Sequence, residues 1–378
     1  MDLSFLVVVV IITALVFDFT NGFHDTANAM ATSIATGALK PKVAVAVSAV
    51  LNLVGAFIST EVAKTISSGI VDDAKVTVPV IFGGLVGAVL WNLMTWYVGL
   101  PSSSSHALFG GLIGATWIAS GSSAVHFTTV VQKIIIPAVA APIVAGVVAL
   151  LGTFLAYKIT HRAEKKTVTE GFRVGQIASA SMVSLAHGTG DAQKTMGVIT
   201  LVLITSGTLA SGSAPPVWVI LSSGLAIAAG TYLGGWRIIR TMGKGLTEIE
   251  SPQGFSAETS STAVLLASSH LGFPLSTTQV CSGSILGAGL GKRLAEVRWT
   301  VAGRMAVAWV LTLPAAAIVG ALAGRVADSG NIGVLIIAIL AVAAGVAIYA
   351  ASRRKPVTSK NVNDYPTSTP AASSAAAA

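Results

Sequence analysis

The sequence predicts an all-α polytopic membrane protein, built as two inverted-topology repeats with broken helices and hairpins and about 10 to 12 transmembrane segments. Three observations carry that expectation. Charged residues make up only 10% of the 378, against about 25% in an ordinary soluble domain. Hydrophobic residues make up 53%, and the mean hydropathy is +0.79. Two polar motifs recur in the same order along the chain. So few charges could not solvate the surface of a soluble fold of this length. The composition therefore excludes a cytosolic enzyme, a disordered chain and a nucleic-acid binder. The 39 glycines suit close helix packing in lipid. With a single cysteine, Cys281, neither an internal disulfide nor a Cys-rich metal site can form.

A spanning helix needs about 20 mostly apolar residues. Apolar stretches lie at 3–20, 26–39, 43–60, 78–99, 107–119, 130–157, 175–187, 194–206, 215–234, 260–271, 279–291, 302–322 and 331–350. Several are too short to span alone. The pairs 3–20 with 26–39 and 175–187 with 194–206 each flank a Gly-containing polar segment, so each pair is expected to be one broken helix or two half-helices. The pieces after Pro101 and Pro274 are expected to be halves of hairpins or broken spans. The chain then divides into a first repeat at 1–157, a basic cytoplasmic linker at 158–174 and a second repeat at 175–322. An extra C-terminal transmembrane helix follows at 323–351, then a disordered tail at 352–378, rich in Ser, Thr, Pro and Ala.

The net charge of +8 reads as a positive-inside bias. Basic residues gather at Lys40 and Lys42 and within 158–173, 237–244, 292–304 and 353–355. Placing all five groups in the cytoplasm gives a consistent parity, with the N-terminus outside and the C-terminus inside. The first motif segment then runs inward and the second outward. The first residues lack the basic n-region of a signal peptide, so the apolar start is expected to be a retained helix. The expected location is the plasma (inner) membrane, as a multi-pass protein in the lipid bilayer.

The opposed directions matter because the halves resemble each other. Gly22-Phe-His-Asp25-Thr-Ala-Asn28-Ala-Met30 aligns with Gly188-Thr-Gly-Asp191-Ala-Gln-Lys194-Thr-Met196, with Gly, Asp and Met matching. Pro101-Ser-Ser-Ser-Ser-His106 aligns with Pro274-Leu-Ser-Thr-Thr-Gln279, and Gly110, Gly114 and Ala115 with Gly283, Gly287 and Ala288. Repeats of this kind place a transporter's site near the midplane, where they meet.

Asp25 and Asp191 fall between apolar stretches, where a carboxylate costs several kcal/mol unless paired or hydrated. Each is a candidate ligand for Na⁺, a protonatable group carrying H⁺, or an N-cap for the half-helix that follows. Ser103, Ser104, Ser105 and Ser276, Thr277, Thr278 follow a proline and precede a Gly-rich apolar helix. That places them at helix N-termini, where N–H groups and the dipole favour an anion. A tetrahedral oxyanion such as phosphate suits two opposed sets of such donors, although Ser/Thr runs also simply cap helices. Asn21, Asn28 and Gln193 offer neutral ligands beside the carboxylates. Lys194, facing Asn28 in the repeat alignment, pairs with Asp191 or a phosphate oxygen, or snorkels. His24, His106 and His187 read more readily as hydrogen-bonded core histidines than as proton relays. Asn52 and Asn92 read as packing hydrogen bonds.

At these residues the chain resembles the PiT family of inorganic phosphate transporters, in particular the actinobacterial low-affinity type. Asn21-Gly-Phe-His-Asp-Thr-Ala-Asn-Ala29 is similar to the family's first signature and Ala186-His-Gly-Thr-Gly-Asp-Ala-Gln-Lys-Thr-Met-Gly197 to its second. The resemblance covers about residues 3–350 and is specific, because several motifs occur in order. It implies symport of inorganic phosphate, possible also as a metal–phosphate complex, with H⁺ favoured and Na⁺ the alternative coupling ion. It further implies no other cofactor, an inverted-repeat fold and a homodimer. Carried over by motif, Ser103 to Ser105, Ser276 to Thr278, Asn28 and Lys194 are the expected phosphate residues. Asp25, Asp191, Asn21 and Gln193 are the expected coupling-ion residues, with Asp25 and Asp191 as the Na⁺ ligands if Na⁺ is the ion. One departure stands out: the second signature usually has Asn immediately before its Asp, and here Gly190 is in that place.

Rival readings are a sulfate permease of the same fold and, from another class, an intramembrane aspartyl protease. Gly188-Thr-Gly-Asp191 matches the Gly-x-Gly-Asp pattern of such proteases, with Asp25 as the second carboxylate. That pattern leaves the duplicated Ser/Thr motifs unexplained, and His-Glu-x-x-His and P-loop signatures are absent, so no enzyme is expected.

Overall fold

The computed structural model describes residues 4–292 and 297–364. The chain opens with α1 (Phe5–Ala35), α2 (Pro41–Gly55), the short α3 (Glu61–Gly69) and α4 (Val78–Val98). Then come α5 (Ser104–Ser120), the single turn α6 (Phe127–Val130) and α7 (Ile136–Thr160), the last two joined through a π-turn. The second half runs through α8 (Lys165–Thr205), α9 (Val217–Leu233), α10 (Trp236–Arg240), α11 (Ser251–His270) and α12 (Thr277–Gly291). It ends with α13 (Trp299–Ala327) and α14 (Asn331–Ser352). No strand occurs among the described residues; only the isolated bridges Val71–Val125 and Thr247–Val297 do, one in each half.

The expected breaks in the two motif helices are absent. α1 and α8 run unbroken through Gly22 to Met30 and through Gly188 to Met196. Neither motif contains proline, and in lipid an unbroken helix is the cheapest way to satisfy backbone N–H and C=O groups. The breaks come at Pro101 and Pro274, which separate α4 from α5 and α11 from α12. A further bend of 59° separates α9 from the helix after it. Among the described residues, five helices are long and apolar enough to cross a membrane, or six with that bent pair. That is fewer than the 10 to 12 expected, because α5 and α12 are short and α8 and α11 carry polar residues along their buried faces. The linker expected at 158–174 is also mostly helical, since α8 starts at Lys165. Arg293 and residues 365–378 of the tail lie outside the described residues; Val362, within them, is buried.

Packing repeats along with sequence. α1 packs on α9 and α8 on α2; α13 packs on α4 and α5, and α7 on α11 and α12. Glycine sets two of these approaches. A Cβ on Gly22 would lie 2.3 Å from the Ile227 carbonyl oxygen, and one on Gly188 would lie 2.2 Å from that of Asn52. Both helices therefore touch backbone to backbone, as small residues allow in membranes. α1 and α8 also pack antiparallel: Asn21 meets Asp191 at one level and Thr36 meets Gln176 (2.8 Å) at another. The outer faces of α7, α13 and α14 are apolar and exposed, for example Val139, Val310 and Ile332. The polar side chains in the middle of α1 and α8 and at the starts of α5 and α12 face inward.

Candidate functional site

Four helices build the centre. α1 and α8 cross it side by side, and α5 and α12 point their N-termini at it from the two hairpins. Each hairpin helix starts the same way. Ser103 caps α5 by accepting from the His106 N–H (3.1 Å), and Ser276 caps α12 by accepting from the Gln279 N–H (3.3 Å). The hydroxyls that follow are thereby aimed at the carboxylates. Ser104 donates to Asp25 Oδ1 (3.2 Å), Thr278 donates to the same oxygen (3.2 Å), and Thr277 donates to Asp191 Oδ1 (2.9 Å). First-turn N–H groups have no intrahelical acceptor, so two positive helix ends converge on two carboxylates.

Asp25 is held further by His24, whose Nδ1 lies 2.6 Å from Oδ1. His24 Nε2 in turn meets Thr95 Oγ1 (3.2 Å) and Ser102 Oγ (3.4 Å). Asp191 meets Lys194 Nζ (2.5 Å), His187 Nε2 (3.2 Å) and Asn21 Nδ2 (3.4 Å). Asn28 donates to Thr278 Oγ1 (3.1 Å), linking α1 to α12. Ligand atoms of Asp25, His187 and Asp191 all lie within 4.8 Å of one another, and all three residues are buried. Two carboxylates so close, away from water, call for compensating positive charge, part of which Lys194 supplies at Asp191. The carboxylate oxygens suit Na⁺ or H⁺ there, and the imidazole suits H⁺. The donor-rich helix ends suit an anion. Beside Asp191, Lys194 and Thr277 the cavity measures about 10 Å³, room for about one water, so the centre is closed.

Most of the sequence-derived residues meet here: Asp25, Asp191, Asn21, Asn28, Lys194, Ser104, Thr277 and Thr278. Asp25 and Asp191 are mid-helix, which removes the N-cap reading. Ser103 and Ser276 act as the caps, and Ser105 donates to the Leu275 carbonyl (3.2 Å), tying the hairpin tips together. Gln193 departs from expectation. Its Oε1 accepts from the N–H groups of Val62 (2.7 Å) and Ala63 (3.2 Å), so it caps α3 and does not join the carboxylates. Asn52 bridges His187 Nδ1 (3.2 Å) and Thr231 (2.8 Å), which fixes the His187 ring. A side chain begun at Gly190 would come within 3.1 Å of Ser269 Oγ, so α11 crowds the place of the usual Asn.

Two buried acids escaped the sequence reading. Asp18, three residues before Asn21 on α1, is fully buried. Its polar neighbours are Thr195, Asn21, Lys194 and Asp191. Glu258 on α11 accepts from Thr32 (2.6 Å), Ser33 (2.6 Å), Gln176 (3.2 Å) and Ser179. Neither lies in a duplicated motif. The signal available for Asp18 was an acidic residue within an apolar stretch; Glu258 stands in a Ser/Thr-rich segment and carried no such signal.

Apolar helices around a closed polar centre, with two helix ends facing two carboxylates, define a helical membrane protein of the secondary-transporter class. Comparison with known proteins makes this specific. Residues 21–320 match the model of the Phosphate transporter family, and the chain belongs to that family. A Mycobacterium bovis protein named "Probable low-affinity inorganic phosphate transporter" is 58% identical over 362 residues, covering 95% of this chain and 87% of its own. A Bacillus subtilis protein of the same name is 43% identical, covering 85% of this chain and 97% of its own. A solved structure titled "The sodium-dependent phosphate transporter" shares the fold, with a TM-score of 0.77 at 22% identity, over 85% of this chain and 98% of that one. The family and these relatives are transporters, not enzymes, which sets the protease reading aside.

Proposed function

We propose that this protein imports inorganic phosphate by symport with a cation, H⁺ favoured and Na⁺ the alternative, through a pair of inverted-topology repeats. The observation that carries the reading is the convergence of two helix N-termini, with Ser104, Thr277 and Thr278, on the paired Asp25 and Asp191. An anion and a cation can share such a place: phosphate at the helix ends, the coupling ion at the carboxylates. The carboxylates take the donors of these hydroxyls. Neutralising them with a cation or proton frees those donors for phosphate, which makes the two ligands interdependent. The antiparallel α1 and α8 and the reciprocal packing support the inverted repeat. The basic segments support an outside N-terminus, and the motif resemblance supports a homodimer.

The test is accumulation of ³²P-phosphate by liposomes holding the purified protein, with proton and sodium gradients imposed one at a time and sulfate and arsenate as competitors. Uptake against the phosphate gradient is expected under at least one of them. Folded protein that accumulates phosphate under neither overturns the reading. Stronger competition by sulfate than by phosphate itself favours a sulfate permease.

A further inference from the structure

The two halves of the site share a skeleton but not a charge. In the first half the residue one helical turn after the carboxylate is Asn28; in the second it is Lys194. Both are buried. Asn28 turns its amide N–H to Thr278 and leaves its Oδ1 without a partner. Around Asp25 the structure thus offers a carboxylate, an unpartnered amide oxygen and hydroxyl oxygens, the set a small hard cation takes. Beside Asp191, where Asn21 donates its amide and likewise keeps an Oδ1 without a partner, the difference is an ammonium. The Lys194 ammonium lies 2.5 Å from Asp191 Oδ1, the same oxygen that accepts from Thr277. Asp18 neighbours Lys194 as well, so the ammonium stands among two carboxylates.

We propose that Lys194 is a tethered coupling cation: its ammonium fills, beside Asp191, the position that a mobile cation takes beside Asp25, so phosphate moves with one mobile cation fewer than a symmetric pair of sites would carry. The inference rests on the transport reading above. Its physics is simple. Asp191 needs a positive neighbour in either conformation of the carrier, because a lone buried carboxylate is costly. A mobile ion meets that need only when bound and departs with the substrate. Lys194 meets it throughout the cycle, including the return of the empty carrier. The second half therefore contributes a fixed charge to phosphate binding and draws nothing from the ion gradient.

Asn is the repeat's own answer at this position, so Lys194→Asn should reopen a cation site. Met is similar in length to Lys but neither carries charge nor ligates Na⁺, so Lys194→Met should not. The measurements are ²²Na⁺ bound per protomer in saturating phosphate, and ³²P-phosphate uptake into liposomes across a Na⁺ series. Wild type should bind no more than one Na⁺. Lys194→Asn should bind one more than wild type, lose about tenfold or more of its uptake without Na⁺, and regain it with Na⁺. Lys194→Met should lose as much and regain none. Two Na⁺ on wild type, an unchanged Na⁺ count in Lys194→Asn, or equal rescue of both variants overturns the proposal. If neither variant folds, the wild-type count decides alone: two ions refute it, one or none supports it. Failure of wild type to accumulate phosphate under any gradient is a separate result and refutes the transport reading instead.

Discussion

Around Asp25 and around Asp191 the same helical frame holds different chemistry. Both carboxylates sit mid-helix, both take a hydroxyl from a hairpin helix, and both lie near a histidine. The Asp25 half carries His24, Ser104 and Asn28; the Asp191 half carries His187, Thr277 and Lys194. Packing demands, set by Gly22 and Gly188, are met alike in both halves. Ligand demands are not. A duplicated scaffold in lipid is constrained by backbone satisfaction and close approach, whereas a few side chains at its centre are free to diverge.

The sharpest break of this comparison comes from the carboxylates themselves. Asp25→Asn and Asp191→Asn should each reduce gradient-driven phosphate accumulation by about 100-fold or more, since both ions and hydroxyls are organised on them. Stability should separate the two. Asp191→Asn takes away the carboxylate that touches the buried Lys194 ammonium and leaves only Asp18 near it, a loss of up to about 3–5 kcal/mol. Asp25→Asn leaves hydroxyls and an imidazole, which tolerate an amide better. The thermal midpoint in detergent should thus fall further for Asp191→Asn. The double variant Asp191→Asn with Lys194→Met should recover most of that fall while remaining inactive. Equal midpoints for the two single variants would remove the charge asymmetry.

A smaller effect tests the shared frame. Gly22→Val and Gly188→Val each drive a side chain into a carbonyl oxygen of the facing helix. Each should cost about 1–3 kcal/mol or more, to a similar extent, with little recovery by Na⁺ or phosphate. Tolerance of one and not the other, read from midpoints or expression of folded protein, would break the equivalence of α1 and α8.

Much of this centre was legible in the sequence because duplication marked it. Asp25 with Asp191, and Ser104 with Thr277 and Thr278, repeat in order, and they meet in space. What was not legible followed from helix geometry. The polar segments around Gly22 and Gly188 look like breaks, but glycine without proline can continue a helix where a neighbour packs close. Gln193 looks like a ligand beside Asp191, yet on a continuous helix residues two apart point in different directions, and it caps α3 instead. Asp18 and Glu258 carry no repeat: Asp18 stands in a run read for its apolar length, and Glu258 in a Ser/Thr-rich segment between the apolar stretches. A count of transmembrane segments by apolarity also fails on α8 and α11, whose polar residues are buried against other helices.

The finest comparison lies at the rims, where each half carries a bridge between distant segments and an acid beside it. Glu250 is the stronger case. Burial pushes its carboxyl up, but the Tyr157 hydroxyl (2.7 Å) and Lys292 (2.9 Å) outweigh that and leave it below the usual range. Asp72 is held below its usual range by Lys75 (3.0 Å), helped by the Ala74 N–H (3.1 Å). Depressed carboxyls stabilise the fold above their unfolded values, near pH 4, and that contribution is lost as pH falls through the lower folded values. The Glu250 side chain is 43% exposed, so solvent screens it, and Tyr157→Phe should lower the midpoint at pH 7 by only about 1–2 °C. Lys75→Ala should lower it by less than about 1 °C, because surface ion pairs contribute little. Both differences from wild type should shrink as pH falls below about 4. A Lys75→Ala effect larger than that of Tyr157→Phe, or one that grows toward low pH, would mean that the Val71–Val125 rim is held by its ion pair rather than by its backbone bridge.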